Sequence, residues 1–201
     1  MFDTIILLAE ANERNALAGL MREHNSSAAI LTPEDTAALA AIPAATLARA
    51  RLIGFLTPVI VPASILAALG YGAYNFHPGP PNYPGWLPSH FAIEDGAGFF
   101  GATAHEMAAS VDSGPIVDLE MFGVPHGTGV AELERLAFIE CVRLVWRLAP
   151  ALAADPGPRP AMPVKWSGRR GTKARLAALG ERPAAADNGA APAIPRGTEA
   201  A

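Results

Sequence analysis

Residues 51–79 read "RLIGFLTPVIVPASILAALGYGAYNFHPG", and the fold turns on whether this stretch crosses a membrane or weaves through a core. From Leu52 to Ile93 there is no Asp, Glu, Lys or Arg. Residues 52–74 alone exceed the roughly 20 residues that span a bilayer. Yet Gly54, Pro58, Pro62, Gly70 and Gly72 cut the run into pieces too short for one spanning helix, and no basic flank follows to anchor it. The pieces have their own logic. "RLIGFL" (51–56) is a buried strand stopped by Thr57-Pro58. "PASILAAL" (62–69) is a short helix with Pro62 at its first position and Gly70 beyond its end. "GAYNFH" (72–77) is a second strand. A strand, a helix and a strand make a βαβ unit, whose parallel strands are covered on both faces and read as unbroken apolar runs.

The flanks repeat the alternation. "TIILLA" (4–9) and "AAILT" (28–32) read as strands around an amphipathic helix, "NERNALAGLMREH" (12–24). A further helix starts near Pro33 with two acids in its first turn. After residue 77 the pattern gives a helix over 89–96 capped by Ser89, strands over 99–107 and 114–124, and a long helix over 131–150. That helix carries Glu132 and Glu134 early and Arg143 and Arg147 late, as its dipole favours. The expected architecture is α/β: a Rossmann-type, mostly parallel sheet flanked by helices. Residues 1–178 form the folded unit. Residues 179–201, rich in Ala, Pro and Gly without apolar periodicity, form a disordered tail. The N-terminal half is short and leaves room for few strands. The 201 residues hold 51% apolar and 17% charged residues with a net charge of −4. This composition suits a globular protein with no obligatory nucleic-acid partner and no membrane span. The start lacks the basic n-region of a signal peptide. The single cysteine excludes an intrachain disulfide and fits a reducing, cytoplasmic setting.

The chemistry-bearing residues gather in three pieces. "NFHPG" (75–79) ends a strand, so Asn75 and His77 point to one face, at the edge where open α/β sheets bind ligands. Prolines and glycines then stiffen "PGPPNYPG" (78–85). "GATAH" (101–105) lies on the next strand and "DSGPI" (112–116) follows a short link. Asn75, His77, Tyr83, Gly85, Ala92, Ile93, Gly96, Gly101, Thr103, His105, Asp112, Gly114, Pro115 and Ile116 follow one another in an order that resembles the formyltransferases that use N10-formyltetrahydrofolate. That family includes methionyl-tRNA, glycinamide ribonucleotide and sugar-nucleotide formyltransferases. The resemblance is strong from about Arg51 to Phe122 and vague outside it.

The resemblance implies transfer of a formyl group from N10-formyltetrahydrofolate to a small-molecule amine. Asn75 and His77, the latter as imidazolium, would hold the tetrahedral oxyanion. Asp112 would orient His77, raise its basicity and relay the proton leaving the amine. The folate would lie against Val59, Ile60 and Val61 and along Ala108, Ala109, Ser110 and Val111. The family also implies a cis bond in the proline loop, here Pro80–Pro81, and an acceptor contact from Tyr83. The loop is one residue shorter than usual, and Pro84 stands where a basic residue often precedes the glycine. The first strand runs into "AEANERN", with Glu10 and Glu13 in place of a phosphate-binding glycine. With the short N-terminal half, and with no room expected in 201 residues for the appended domain by which methionyl-tRNA formyltransferases grip tRNA, this counts against tRNA and a typical ribonucleotide phosphate site, and a sugar nucleotide or small metabolite is the expected acceptor. "VKWSGRRGTKAR" (164–175) has no acid, and its Arg169 and Arg170 are candidates for a phosphate of the acceptor or the folate's glutamate tail. A solvated helix start is the plainer reading of that run. A strand-end Asn and His also cap turns, and Asp112 also makes Asx-turns. Val59, Ile60 and Val61 also read as plain core. His77, His90, His105 and Asp112 lack compact zinc-ligand spacing, and His105 is expected to pack or hydrogen-bond behind the site. Hydrolysis with water as acceptor, non-catalytic folate binding and a homodimeric assembly remain open.

Overall fold

A computed structural model describes residues 1–180. The expected tail therefore lies, from residue 181 onward, outside the described residues. Among the described residues six strands, joined through helices except at the β5–β6 link, run in chain order: β1 (Thr4–Leu8), α1 (Ala11–His24), β2 (Ala29–Leu31), α2 (Thr36–Ala40), α3 (Ala44–Leu47), β3 (Ala50–Phe55), α4 (Ala63–Ala68), β4 (Ala73–His77), α5 (Pro88–Glu94), β5 (Phe99–Glu106), β6 (Ile116–Gly123), α6 (Val130–Ala154) and α7 (Lys173–Gly180). They form one sheet of order β2-β1-β3-β4-β5-β6. β1 to β4 run parallel, whereas β5 and β6 are antiparallel to their neighbours. The mostly parallel α/β sheet expected from the sequence is present.

Period-two alternation divides the strands between two cores. Ile5, Leu7, Ile53, Phe55, Tyr74 and Phe76 face α1 and α6, with Leu17, Met21, Leu144 and Leu152 packed on them. Ile6, Leu8, Leu52 and Ala73 face the other way, under Leu39, Leu47 and Ile65 of α2, α3 and α4. Asn75 and His77 share the Ala73 face. Over β4 and β5 that face is covered by loops, and there the site lies. Among the described residues no helix is long and apolar enough to cross a membrane.

Several ends differ from the sequence reading. Pro33 and Glu34 stay outside α2, because Asp35 is the cap and accepts the Ala38 N–H at 2.7 Å. Pro62 caps α4 rather than entering it. Ser89 lies inside α5, buried, since Pro88 already occupies the first turn. α6 runs on through Pro150 to Ala154. Residues 44–47, to which the sequence reading assigns no element, form the short α3.

One buried cation locks the end of α6 to the sheet. Arg51 is 0% exposed. Its guanidinium donates to the carbonyls of Tyr71, Ala151, Leu152, Asp155 and Gly157 at 2.8–3.3 Å. It also lies 5.1 Å from the Phe2 ring centroid and 5.5 Å from that of Tyr74. The carbonyl-rich C-terminus of a helix is where a cation is stabilised.

Candidate active site

Strand register assembles the first pair. Asn75 on β4 stands opposite His105 on β5, so both side chains emerge side by side on the loop-covered face. Asn75 Nδ2 and His105 Nε2 are 3.3 Å apart. His77 stands opposite Thr103, whose hydroxyl donates to the Gly79 carbonyl at 2.7 Å and pins the start of the proline loop. Gly79 passes so close that an added Cβ would meet His77 Nε2 at 2.7 Å.

Asp112 arrives from the β5–β6 link with a left-handed backbone, φ 46°, a conformation Asp tolerates better than most residues. Its carboxylate reaches between the two imidazoles. Oδ2 is 3.3 Å from His77 Nδ1, and Oδ1 is 3.1 Å from His105 Nε2. The Gly85 N–H donates to Oδ2 at 2.7 Å. Gly85, with φ 89°, takes a conformation that favours glycine. The Tyr-x-Gly glycine thus has a physical reason: its N–H holds the carboxylate.

The remaining ring nitrogens set the tautomers. His77 Nε2 lies 2.9 Å from the Tyr83 carbonyl, and His105 Nδ1 lies 2.9 Å from the Glu106 carbonyl. A carbonyl only accepts, so those nitrogens carry the hydrogens. In the neutral rings, lone pairs on His77 Nδ1 and His105 Nε2 then flank Asp112. Both contacts are longer than the roughly 2.7–2.9 Å of charge-assisted bonds. Burial pushes the His77 pKa below its ordinary value, against the pull of Asp112 and the Tyr83 carbonyl. Burial opposes the Asp112 charge as well, but His77, His105 and the Gly85 N–H together hold its carboxyl below the usual range. The carboxylate and the two ring nitrogens that face it, His77 Nδ1 and His105 Nε2, form a socket for one shared proton. Both His77 nitrogens are engaged within the cluster, Nε2 with the Tyr83 carbonyl and Nδ1 with Asp112.

Asn75, His105 and Asp112 line a cleft whose other walls are Thr57, Leu66, Met107 and all seven residues expected to hold folate: Val59, Ile60, Val61, Ala108, Ala109, Ser110 and Val111. His77 is 3% exposed and sits behind the lining. His105 bonds within the cluster and also lines the cleft, so its part is larger than the sequence suggested. Tyr83 is 7% exposed and packs on Phe100, with ring centroids 6.0 Å apart. It also borders a second cleft with Asn82, Asp95, Gly168, Arg169 and Arg175. Arg170 is separate from Arg169. Its Nη2 donates to Ser110 Oγ and to the Val111 carbonyl at 2.9 and 2.7 Å.

The Pro80–Pro81 bond is trans, as are all peptide bonds of the described residues, so the expected cis bond is absent. The loop turns instead through the Tyr83 N–H to the Pro80 carbonyl, 2.9 Å, and the Ser167 N–H to the Pro81 carbonyl, 2.9 Å. His90 stands apart from the cluster, 3.8 Å from Glu134. Among the described residues no group of three His, Cys, Asp or Glu side chains is arranged to hold a metal ion. Sequence reasoning missed Trp166, which packs against both histidines. Its signal is an aromatic side chain within the acid-free, cationic run 164–175.

No family model matches the chain. It is 38% identical over 71 residues to the formyltetrahydrofolate deformylase of Synechocystis, a match that spans 32% of this chain and only 25% of that relative. Among solved structures, a sugar N-formyltransferase from a Shewanella species superposes with a TM-score of 0.72 at 15% identity, covering 89% of this chain and 80% of its own. The formyltransferase PseJ from Anoxybacillus kamchatkensis, solved with a UDP-linked formamido sugar and tetrahydrofolate, gives 0.66 at 16%, covering 88% and 89%. Glycinamide ribonucleotide transformylase 1 from Symbiobacterium toebii gives 0.57 at 24%, covering 76% and 88%. The chain thus has the formyltransferase fold, and on its loop-covered sheet edge it carries the ordered Asn-x-His, Gly-x-Thr-x-His and Asp-x-Gly-Pro-Ile motifs by which its sequence resembles that family.

Proposed function

We propose that the protein, through residues 1–178, transfers a formyl group from N10-formyltetrahydrofolate to the primary amine of a sugar nucleotide or small metabolite. The observation that carries this reading is the Asp112 carboxylate flanked by His77 and His105, with Asp112, His105 and Asn75 lining one mostly apolar cleft. The cleft fits the donor: Val59, Val61, Leu66 and Met107 offer apolar walls, and the small residues 108–110 leave backbone groups open to a flat, polar-edged ring. The donor supplies an electrophilic formyl carbon. Asn75 lines the cleft and offers a carboxamide N–H to the oxygen that gains charge as the amine attacks. The attacking amine must lose a proton as its C–N bond forms. The Asp112–His77–His105 cluster takes that proton, and returns it to the folate nitrogen as the old C–N bond breaks. Atoms balance as amine plus formylfolate giving formamide plus tetrahydrofolate.

The solved relatives that bind nucleotide-linked sugars support a sugar amine as acceptor. Arg169, at the second cleft, is the residue we assign to an acidic group of the acceptor. A folate donor and a single buried thiol, Cys141, fit a cytoplasmic setting. The local identity to a deformylase keeps water as the competing acceptor; formate released without added amine marks that activity. Asn75→Ala and His77→Ala are the test of the site. Each is expected to abolish transfer while circular dichroism stays native, and near-normal turnover in either refutes the assignment.

A further inference from the structure

After α6 the chain runs back across the loops that hold the cluster. The Met162 N–H donates to the Ile116 carbonyl at 2.7 Å, the Ser167 N–H to Pro81 at 2.9 Å and the Gly171 N–H to Pro84 at 2.7 Å, while Gly171 accepts the Trp86 N–H at 3.0 Å. Arg170 ties the same strap to the 110–111 backbone. Trp166 stands in the middle. Its indole N–H donates to the Gly114 carbonyl at 2.8 Å. Its ring meets His105 edge-to-face, with centroids 5.0 Å apart at 90°, and His77 at 5.7 Å and 72°.

One side chain therefore touches both bases and the turn that carries the carboxylate. Gly114 follows Asp112 by two residues, and the left-handed turn at Asp112 decides where its oxygens point. An indole in edge contact with two imidazoles fixes their ring planes and occupies space that water would otherwise take. It does not line the cleft assigned to folate.

We propose that Trp166 is a positioning residue for proton transfer, holding His77 and His105 on either side of Asp112 and keeping water from the gap between them. Its catalytic meaning rests on the formyl-transfer reading; its physical effect does not. His77 is faced by Asp112, His105 and the Tyr83 carbonyl, and His105 by Asp112, Asn75 and the Glu106 carbonyl. Without the indole, water reaches the rings, and the burial that holds His77 down weakens.

The test uses the full chain with histidine-selective nitrogen NMR across pH, comparing wild type, Trp166→Ala and Trp166→Phe, with His77→Asn to assign the resonance. The alanine variant is expected to move the His77 titration upward by about one pH unit. Phenylalanine, which restores the ring but not the N–H, should return most of that shift. In turnover, Trp166→Ala should lower kcat roughly 10–100-fold with the folate KM little changed. An unchanged His77 titration in the alanine variant overturns the proposal. If that variant does not fold, Trp166→Leu decides: an upward shift of about half a unit or more supports it, and an unchanged curve overturns it. If the titration shifts while wild type transfers no formyl group, the reading of the reaction fails and the positioning role stands.

Discussion

Asp112→Asn removes one charge and almost no volume, which makes it the sharpest perturbation of the proposed proton path. The carboxamide oxygen can still accept the Gly85 N–H now 2.7 Å from Oδ2. The new NH2 group then faces a ring nitrogen, His105 Nε2, across the present 3.1 Å contact, and donates to its lone pair. The proton socket is filled permanently, and neither the amide nor the paired ring accepts a proton easily. Losing a positioned general base costs about 10²–10⁴ in rate, or roughly 3–5 kcal/mol of barrier at 1.36 kcal/mol per tenfold. The fold should survive, because the substitution changes almost no volume and keeps the Gly85 N–H hydrogen bond. The assay follows tetrahydrofolate and formamide production under saturating donor, with circular dichroism and thermal melting as controls. A drop confined to kcat, with a native spectrum, is expected. Turnover within tenfold of wild type in a folded Asp112→Asn protein would refute the proton-socket mechanism.

Arg51→Met should cost about 3–5 kcal/mol of stability, since it strips a buried cation from the end of α6 and leaves several carbonyls unpartnered; chemical denaturation reads it, and a loss under about 1 kcal/mol contradicts the capping role. Gly79→Ala places a methyl 2.7 Å from His77 Nε2 and 2.8 Å from Pro88 Cβ; displacement of the ring should lower kcat at least tenfold, roughly the cost of a misplaced catalytic group, and wild-type kcat would show that the loop yields instead. His77 and Asp112 both have lowered pKa values in the folded state, so each contributes stability that is present above its unfolded pKa and lost as pH falls. The melting temperature should therefore decline below roughly pH 6.5 and again below roughly pH 4; His77→Asn should flatten the first decline, and an unaltered pH profile would show that His77 does not cause it.

How much was visible beforehand depends on how local each signal is. The βαβ alternation through residue 77 and the apolar 59–61 and small 108–111 segments are written in short windows, and the strands and the cleft lining follow them. The Asn75 and His105 pairing follows from strand register, which no window contains, so the sequence left His105 behind the site. Trp166 lies 89 residues beyond His77 in number, and only the returning strap brings them together. Arg51 read as the polar start of a strand because its partners come from residues 71 and 151–157. The helix read over 131–150 runs on past Pro150 in α6, whose last turn packs Leu152 and Ala153 into the core. The cis-proline expectation came from resemblance alone, and the turn closed by Pro80 and Tyr83 shapes the loop without it.

The central claim is that this cluster moves a formyl group from folate to an amine. Wild-type protein incubated with N10-formyltetrahydrofolate, with and without amino-sugar nucleotides and small primary amines, decides it by mass spectrometry of both products. The account predicts tetrahydrofolate in step with an N-formyl product, dependent on the amine. Formate released at the same rate with no amine would make the protein a hydrolase, and bound folate with no turnover under any acceptor would contradict the account.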